Sequence, residues 1–210
     1  MTLTAFRQVS ADPGVSRLDE LAAPDARAVL GVCCGSSRWV ERMEALRPYR
    51  TRGRLVDLSD AVTRRLEWIE VRQALTSFPR LGDAGYESGR LDIWARRDQR
   101  DRDKSEAGDA EQDPLARAVA LGAREYEERF GFVFLICSQG RTSQQTLAAL
   151  SARLNNEPRM ERLVVRAELA AITRARLVRL LARPPRMART QAVARLPVSC
   201  PGAGSPCRSP

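Results

Sequence analysis

The chain contains no histidine. That removes the side chain most often used to move protons near neutral pH, and the commonest nitrogen ligand for metals. Cysteine is sparse and badly spaced for metal or disulfide chemistry. The five residues are Cys33, Cys34, Cys137, Cys200 and Cys207, an odd number with two adjacent and no C-x-x-C pair. Neither a disulfide framework nor a zinc site fits that pattern. Aromatic residues make up only 5% of the chain, so its core has to be built mainly from Leu, Val and Ala. No apolar run approaches the roughly 18 residues of a membrane span. The N-terminus "MTLTAFRQVSADPG" lacks a basic region followed by an apolar stretch, so no secretory signal is visible and a cytoplasmic location is expected.

Lysine is nearly absent too, with Lys104 the single example, so the net charge of +9 is carried by arginine. Such a balance raises the question of nucleic acid. The arginines, however, stand beside Glu and Asp, as in "YEERF" and "RMERLVVRAELAAITRARL". Mixed patterning of this kind marks solvated helix faces. With no zinc finger, RNA-binding aromatic motif or clear helix-turn-helix, neither a nucleic-acid nor a membrane partner is expected.

What remains is helical signal nearly throughout, with a hydrophobic fraction of 43% that suffices for a core. "SRLDELAA" carries Asp19 three residues after Ser16, a capping-box spacing. "APDARAVLGVCC" places Pro24 in a first turn, where its missing N–H is harmless. Trp39, Val40, Met43 and Leu46 recur at helical spacing before Pro48. "SDAVTRRLEWIEVRQALTSF" reads as one helix ending near Pro79. Asp113 and Pro114 open a helix that Gly131 closes. "VFLIC", residues Val133 to Cys137, is apolar on every side; its helical neighbours favour a buried helix turn over a short strand. Thr142 or Ser143 caps the next helix, which ends at Asn155 or Asn156. A last long helix runs from about Pro158 to Ala182. The expected fold is all-α, a single compact domain of seven or eight helices over residues 1–184. The Pro-, Gly- and Ser-rich remainder, 185–210, is expected to be a disordered tail, and the charge-dense stretch Arg96 to Asp113 an exposed loop in its later part.

Three segments in order, "VCCGSSRWVERMEALRPY", "YEERFGFVFLICSQGRTSQQTLAALSARLNNE" and "VVRAELAAITRARLVRLL", resemble the 2-oxo-4-hydroxy-4-carboxy-5-ureidoimidazoline (OHCU) decarboxylases, which complete urate breakdown to (S)-allantoin. The likeness spans roughly Phe6 to Leu181. It implies an all-α homodimer acting on a small ureidoimidazoline, with no metal and no organic cofactor. The substrate carboxylate sits next to an imine-like C=N bond that can take the electron pair released with CO2. An arginine, a hydrogen-bonding amide and an acid/base group would then be enough.

The resemblance also exposes a departure. In the family a histidine, the catalytic acid/base, precedes Pro-Arg-(Ile/Leu)-Gly; here "SFPRLGD" puts Phe78 in that position and keeps Arg80. The family's Trp-Ser-x-x-Glu-Gln pattern best matches "WARRDQ", so Asp98 replaces its glutamate and Gln99 is kept. A rival alignment uses Glu111 and Gln112. The family's arginine of the last long helix corresponds to Arg176 in "ITRARL". The resemblance thus gives Asp98 and the substituted position Phe78 as the catalytic pair, with Gln99, Arg176 and Arg80 binding substrate. A positioned acid or base is typically worth about 10²–10⁴ in rate, and phenylalanine can neither give nor take a proton. The implied function is a decarboxylase of weakened activity or, alternatively, a catalytically inactive member that binds a ligand or partner.

Overall fold

A computed structural model describes residues 12–78, 114–137 and 141–182. It places eight α-helices in these segments and no strand. They are α1 (Pro13–Glu20), α2 (Ala23–Cys33), α3 (Ser37–Ala45), α4 (Arg52–Arg64), α5 (Trp68–Leu75), α6 (Pro114–Phe130), α7 (Ser143–Leu154) and α8 (Pro158–Ala182). The charged loop and the tail expected from composition lie outside the described residues.

The 25-residue α8 is the spine. Val165, Leu169, Thr173, Leu177 and Leu181 recur every four residues and are buried, one stripe of a helix facing a core. Helix α4 packs along it, with α1 and α2 against the same helix. Trp39, Met43, Tyr49, Leu55 and Leu66 fill the main core between them. A second core forms where α6 packs on α7, around Val119, Tyr126, Phe134, Ile136 and Leu150.

Several sequence expectations hold. Pro24 lies in the first turn of α2, Thr142 caps α7 with a reciprocal bond from Gln145, and Asn155 ends that helix. Gly131 takes φ 75° after α6, a left-handed conformation that glycine adopts without steric penalty.

Three expectations are corrected. Asp12, not Ser16, caps α1, through Gly14 N–H at 2.9 Å; Ser16 lies inside the helix. Asp19 instead accepts from the backbone N–H groups of Tyr49 and Arg50 at 2.8 and 2.9 Å, so it fixes the α3–α4 connection. The stretch 59–78 is two helices, not one. Glu67 and Glu70 form a capping box that restarts the chain as α5, and Arg166 of α8 donates to the Leu66 carbonyl exposed at the break, 3.0 Å away.

"VFLIC" is neither helix nor strand but an extended segment between the two cores. Leu135 belongs to the main core, Phe134 and Ile136 to the second. Side chains alternate across an extended chain, so a run that is apolar on every side buries both faces when it threads between two apolar surfaces. Its backbone is held by α7 and α8. The Leu135 carbonyl accepts from Arg153 Nη1 at 2.7 Å, and Cys137 N–H donates to Glu168 at 2.8 Å.

Candidate functional site

Arg176 and Phe78 are far apart in sequence and meet in the fold. The guanidinium carbon of Arg176 lies 4.4 Å from the centroid of the Phe78 ring, well inside cation–π range. Phe78 follows the last turn of α5, where its N–H donates to the Leu75 carbonyl at 3.0 Å. Its half-buried ring packs on the main core. Arg176 projects from α8 toward the end of α2, where Nη1 donates to the Cys33 carbonyl at 3.1 Å. That carbonyl belongs to the last turn of α2, which leaves carbonyls without intrahelical donors. A cation at that end also meets the negative end of the helix dipole.

No carboxylate pairs with Arg176 among the described residues. Its Nε is out of water and without a hydrogen-bond partner. Burial lowers its proton affinity to about 10, although the neighbouring Cys33 and Cys34 act the other way. It still carries its charge at neutral pH. Arg47 and Arg166 also have an unpaired Nε, but the Arg47 guanidinium is held by the Leu18 and Leu21 carbonyls and Glu44, and that of Arg166 supports the α4–α5 break described above.

The α2–α3 turn closes the corner from below. Cys33 and Cys34 are fully buried. Burial pushes the Cys33 thiol up to about 12 and raises Cys34 as well, so neither is a thiolate nucleophile near neutral pH. The turn fits tightly under α5. A Cβ on Gly35 would come within 2.5 Å of Ser77 Oγ and 3.2 Å of the Ala74 carbonyl. Ser77 Oγ in turn donates to that carbonyl at 2.7 Å. The residue before Phe78 is thus fixed by the α2–α3 turn, and through it the ring that faces Arg176. Beside the turn an open hollow of about 320 Å³ is lined by Arg27, Cys34, Ser36, Glu41 and Gln73 among others. Its Gln73 Oε1 already accepts from Ser37 N and Oγ at 3.1 Å each.

Of the residues singled out in the sequence, the structure brings together Phe78 and Arg176. Asp98, Gln99, Arg80 and the alternative pair Glu111 and Gln112 lie outside the described residues.

Sequence reasoning missed the role of "RLNNE" and the tyrosine before it. Arg153 is nearly buried and Glu161 wholly so. Arg153 reaches Glu161 Oε1 with Nε at 2.9 Å and Nη2 at 2.6 Å, and Asn156 donates to Oε2 at 2.7 Å. Tyr126 donates its hydroxyl proton to the same carboxylate in a short hydrogen bond. Arg153 also lies over the Phe134 ring at 4.4 Å. This network ties α6, α7, α8 and the extended segment together. The only signal in the sequence was an arginine and an acid eight residues apart across a helix end.

With the geometry in place, comparisons with known proteins converge. A family model described as OHCU decarboxylase matches residues 19–178. The uric acid degradation bifunctional protein TTL of Arabidopsis thaliana is 28% identical over 149 residues, 71% of this chain and 45% of that protein. The 2-oxo-4-hydroxy-4-carboxy-5-ureidoimidazoline decarboxylase of Amia calva is 42% identical over 72 residues, 34% of this chain and 38% of that one. The chain thus spans less than half the length of these two curated relatives. The crystal structure of an OHCU decarboxylase in the presence of (S)-allantoin superposes with a TM-score of 0.57 at 25% identity, covering 73% of this chain and 96% of the other. An (S)-allantoin synthase structure superposes at 0.56 with 17% identity, over 78% and 52% of the two chains; that likeness speaks for the fold.

Proposed function

The chain belongs to the OHCU decarboxylase family, and from that premise we propose that it is a cofactor-independent carboxy-lyase that converts 2-oxo-4-hydroxy-4-carboxy-5-ureidoimidazoline to (S)-allantoin in urate degradation. The observation that carries this reading is Arg176. It is a half-buried cation with no carboxylate partner among the described residues and an unpaired Nε, standing against the position that the resemblance aligns with the family's histidine. A carboxylate substrate supplies the missing partner, in the charge-assisted geometry that arginine favours. With the carboxylate held, the C–CO2 bond breaks and its electron pair moves into the adjacent C=N bond. A proton delivered to one face then sets the configuration of the product.

Phe78 cannot deliver that proton. Asp98, aligned with the family's glutamate, is the candidate acid/base on sequence grounds, and Gln99 and Arg80 are candidates for binding the ureido group. Loss of the histidine predicts turnover weaker by up to about 10²–10⁴. The same substitution favours one second reading, a catalytically inactive member that keeps a carboxylate-binding pocket. A homodimer in the cytoplasm completes the proposal; size-exclusion chromatography with light scattering and cell fractionation test those parts.

The decisive experiment generates OHCU freshly from urate and follows optical activity against the spontaneous, racemic background. (S)-Allantoin formed above that background by the wild type establishes the lyase. Activity only after Phe78→His makes the natural protein a silenced member. Racemic product from both overturns the substrate assignment.

A further inference from the structure

We propose that Phe78 is the positioning residue for Arg176: its ring serves as a floor that fixes the plane of the guanidinium, so that one edge of the cation is presented to a carboxylate ligand. The inference rests on the reading that Arg176 takes the substrate carboxylate. It goes further in giving Phe78 a role of its own rather than treating it as a lost histidine.

Two restraints act on the guanidinium. The central carbon of the guanidinium lies over the Phe78 ring, 4.4 Å from its centroid. The Cys33 carbonyl, 3.1 Å from Nη1, holds one corner within the plane. A planar group restrained by a face and a corner has little freedom to turn. Its remaining side-on edge carries Nε and Nη2, the pair whose parallel N–H bonds match the two oxygens of a carboxylate. Nε is the atom the protein leaves unpaired. Buried donors without partners are rare, and each calls for a reason; a ligand oxygen at this edge is such a reason.

The chemistry of the ring suits this use. An aliphatic side chain of similar bulk would exclude water equally well but offer no negative π face. A phenyl ring attracts the cation without neutralising it, so the charge stays available to an anion. It is also free of titration, so it never becomes a second cation beside Arg176, as an imidazolium would. The floor is itself supported from beneath, because Gly35 lets the α2–α3 turn approach Ser77 and fix the start of the Phe78 segment.

The test uses the full chain, isothermal titration calorimetry, and two stable probes. Diureidoacetate is a ureido compound with a carboxylate; (S)-allantoin is its uncharged counterpart. The variants are Phe78→Leu, Phe78→Tyr and Arg176→Gln, each checked for folding by circular dichroism and thermal melting. Phe78→Leu should weaken diureidoacetate binding by about three- to thirtyfold, the range that a desolvated cation–π contact implies. Its effect on (S)-allantoin should be smaller. Phe78→Tyr, which restores an aromatic face, should recover most of the lost affinity. A purely structural role would move both probes together and show no aromatic rescue.

The inference is overturned if Phe78→Leu binds diureidoacetate as the wild type does, if Leu and Tyr lose affinity equally, or if charged and uncharged probes weaken alike. Loss with Arg176→Gln but not with Phe78→Leu removes the floor and leaves the carboxylate reading intact. Unchanged binding in Arg176→Gln removes both. A wild type that binds no diureidoacetate also overturns the inference, while the turnover assay separately decides the reaction.

Discussion

Replacing Arg153 with methionine should unfold this domain more readily than almost any other single change. The side chain donates to Glu161 twice, to the Leu135 carbonyl at 2.7 Å and to the Tyr126 hydroxyl at 3.3 Å. Without it, the Glu161 carboxylate remains at 0% exposure with only Tyr126 and Asn156 to face its charge. Removing one partner of a buried ion pair costs about 3–5 kcal/mol, because the other is left uncompensated. For a chain of this size each kcal/mol moves the melting temperature by roughly 2–4 °C, so Arg153→Met should melt roughly 6–20 °C lower. Glu161→Gln placed in the same chain removes the stranded charge while keeping an oxygen for Tyr126. The double variant should therefore recover a large part of the loss. Urea and thermal unfolding followed by circular dichroism measure both. An Arg153→Met variant within about 1 kcal/mol of wild type would refute the reasoning, as would a double variant whose losses simply add.

Two further outcomes follow from the α2–α3 turn. Gly35→Ala should lose about 1–3 kcal/mol, the usual penalty for overpacking, because its Cβ would lie 2.5 Å from Ser77 Oγ; Ser77→Gly in the same chain should restore part of it, and a neutral Gly35→Ala would deny the close approach. Cys33 should resist iodoacetamide in the folded protein at about pH 8 and react in urea, as peptide mapping by mass spectrometry reads directly. Its folded value, raised by burial from 9.0 to about 12, also sets a pH dependence. The stability gained from keeping the thiol neutral is intact below about pH 9 and falls as pH climbs toward 12. Cys33→Val should flatten that fall, and an unchanged slope in the variant would assign the alkaline loss to other groups.

The helices were legible because their signals are local. Pro24, Thr142, Pro114 and Gly131 mark ends through chemistry that operates within a turn or two. The readings that failed depended on partners distant in sequence. The break between α4 and α5 is stabilised by Arg166, one hundred residues further on. Asp19 sits at a capping-box spacing but bonds across to Tyr49 and Arg50. "VFLIC" has no periodicity to read, since its two faces meet different cores. At the site, the resemblance supplied Arg176 and Phe78 as separate positions. Nothing in the spacing between 78 and 176 could say that ring and cation touch, because contact depends on how α5 and α8 meet the end of α2.

Two arginines, Arg153 buried and Arg176 half-buried, show how differently one residue type can be used. Arg153 has Glu161, Asn156 and Tyr126 gathered around its charge or that of its partner, and such a closed network holds elements together without needing anything further. Arg176 has one carbonyl, one aromatic ring and two neutral thiols nearby. Burial favours its neutral form, so the folded chain keeps a charged group where stability alone would place an apolar one. A cation left short of partners in one corner, in a chain that completes another network fully, is best explained by a partner that arrives from outside. Under the proposed function that partner is the substrate carboxylate, whose two oxygens match the Nε and Nη2 pair of a guanidinium. At Phe78, the position that the resemblance aligns with the family's histidine, the ring offers the arginine an aromatic face although it cannot carry a proton.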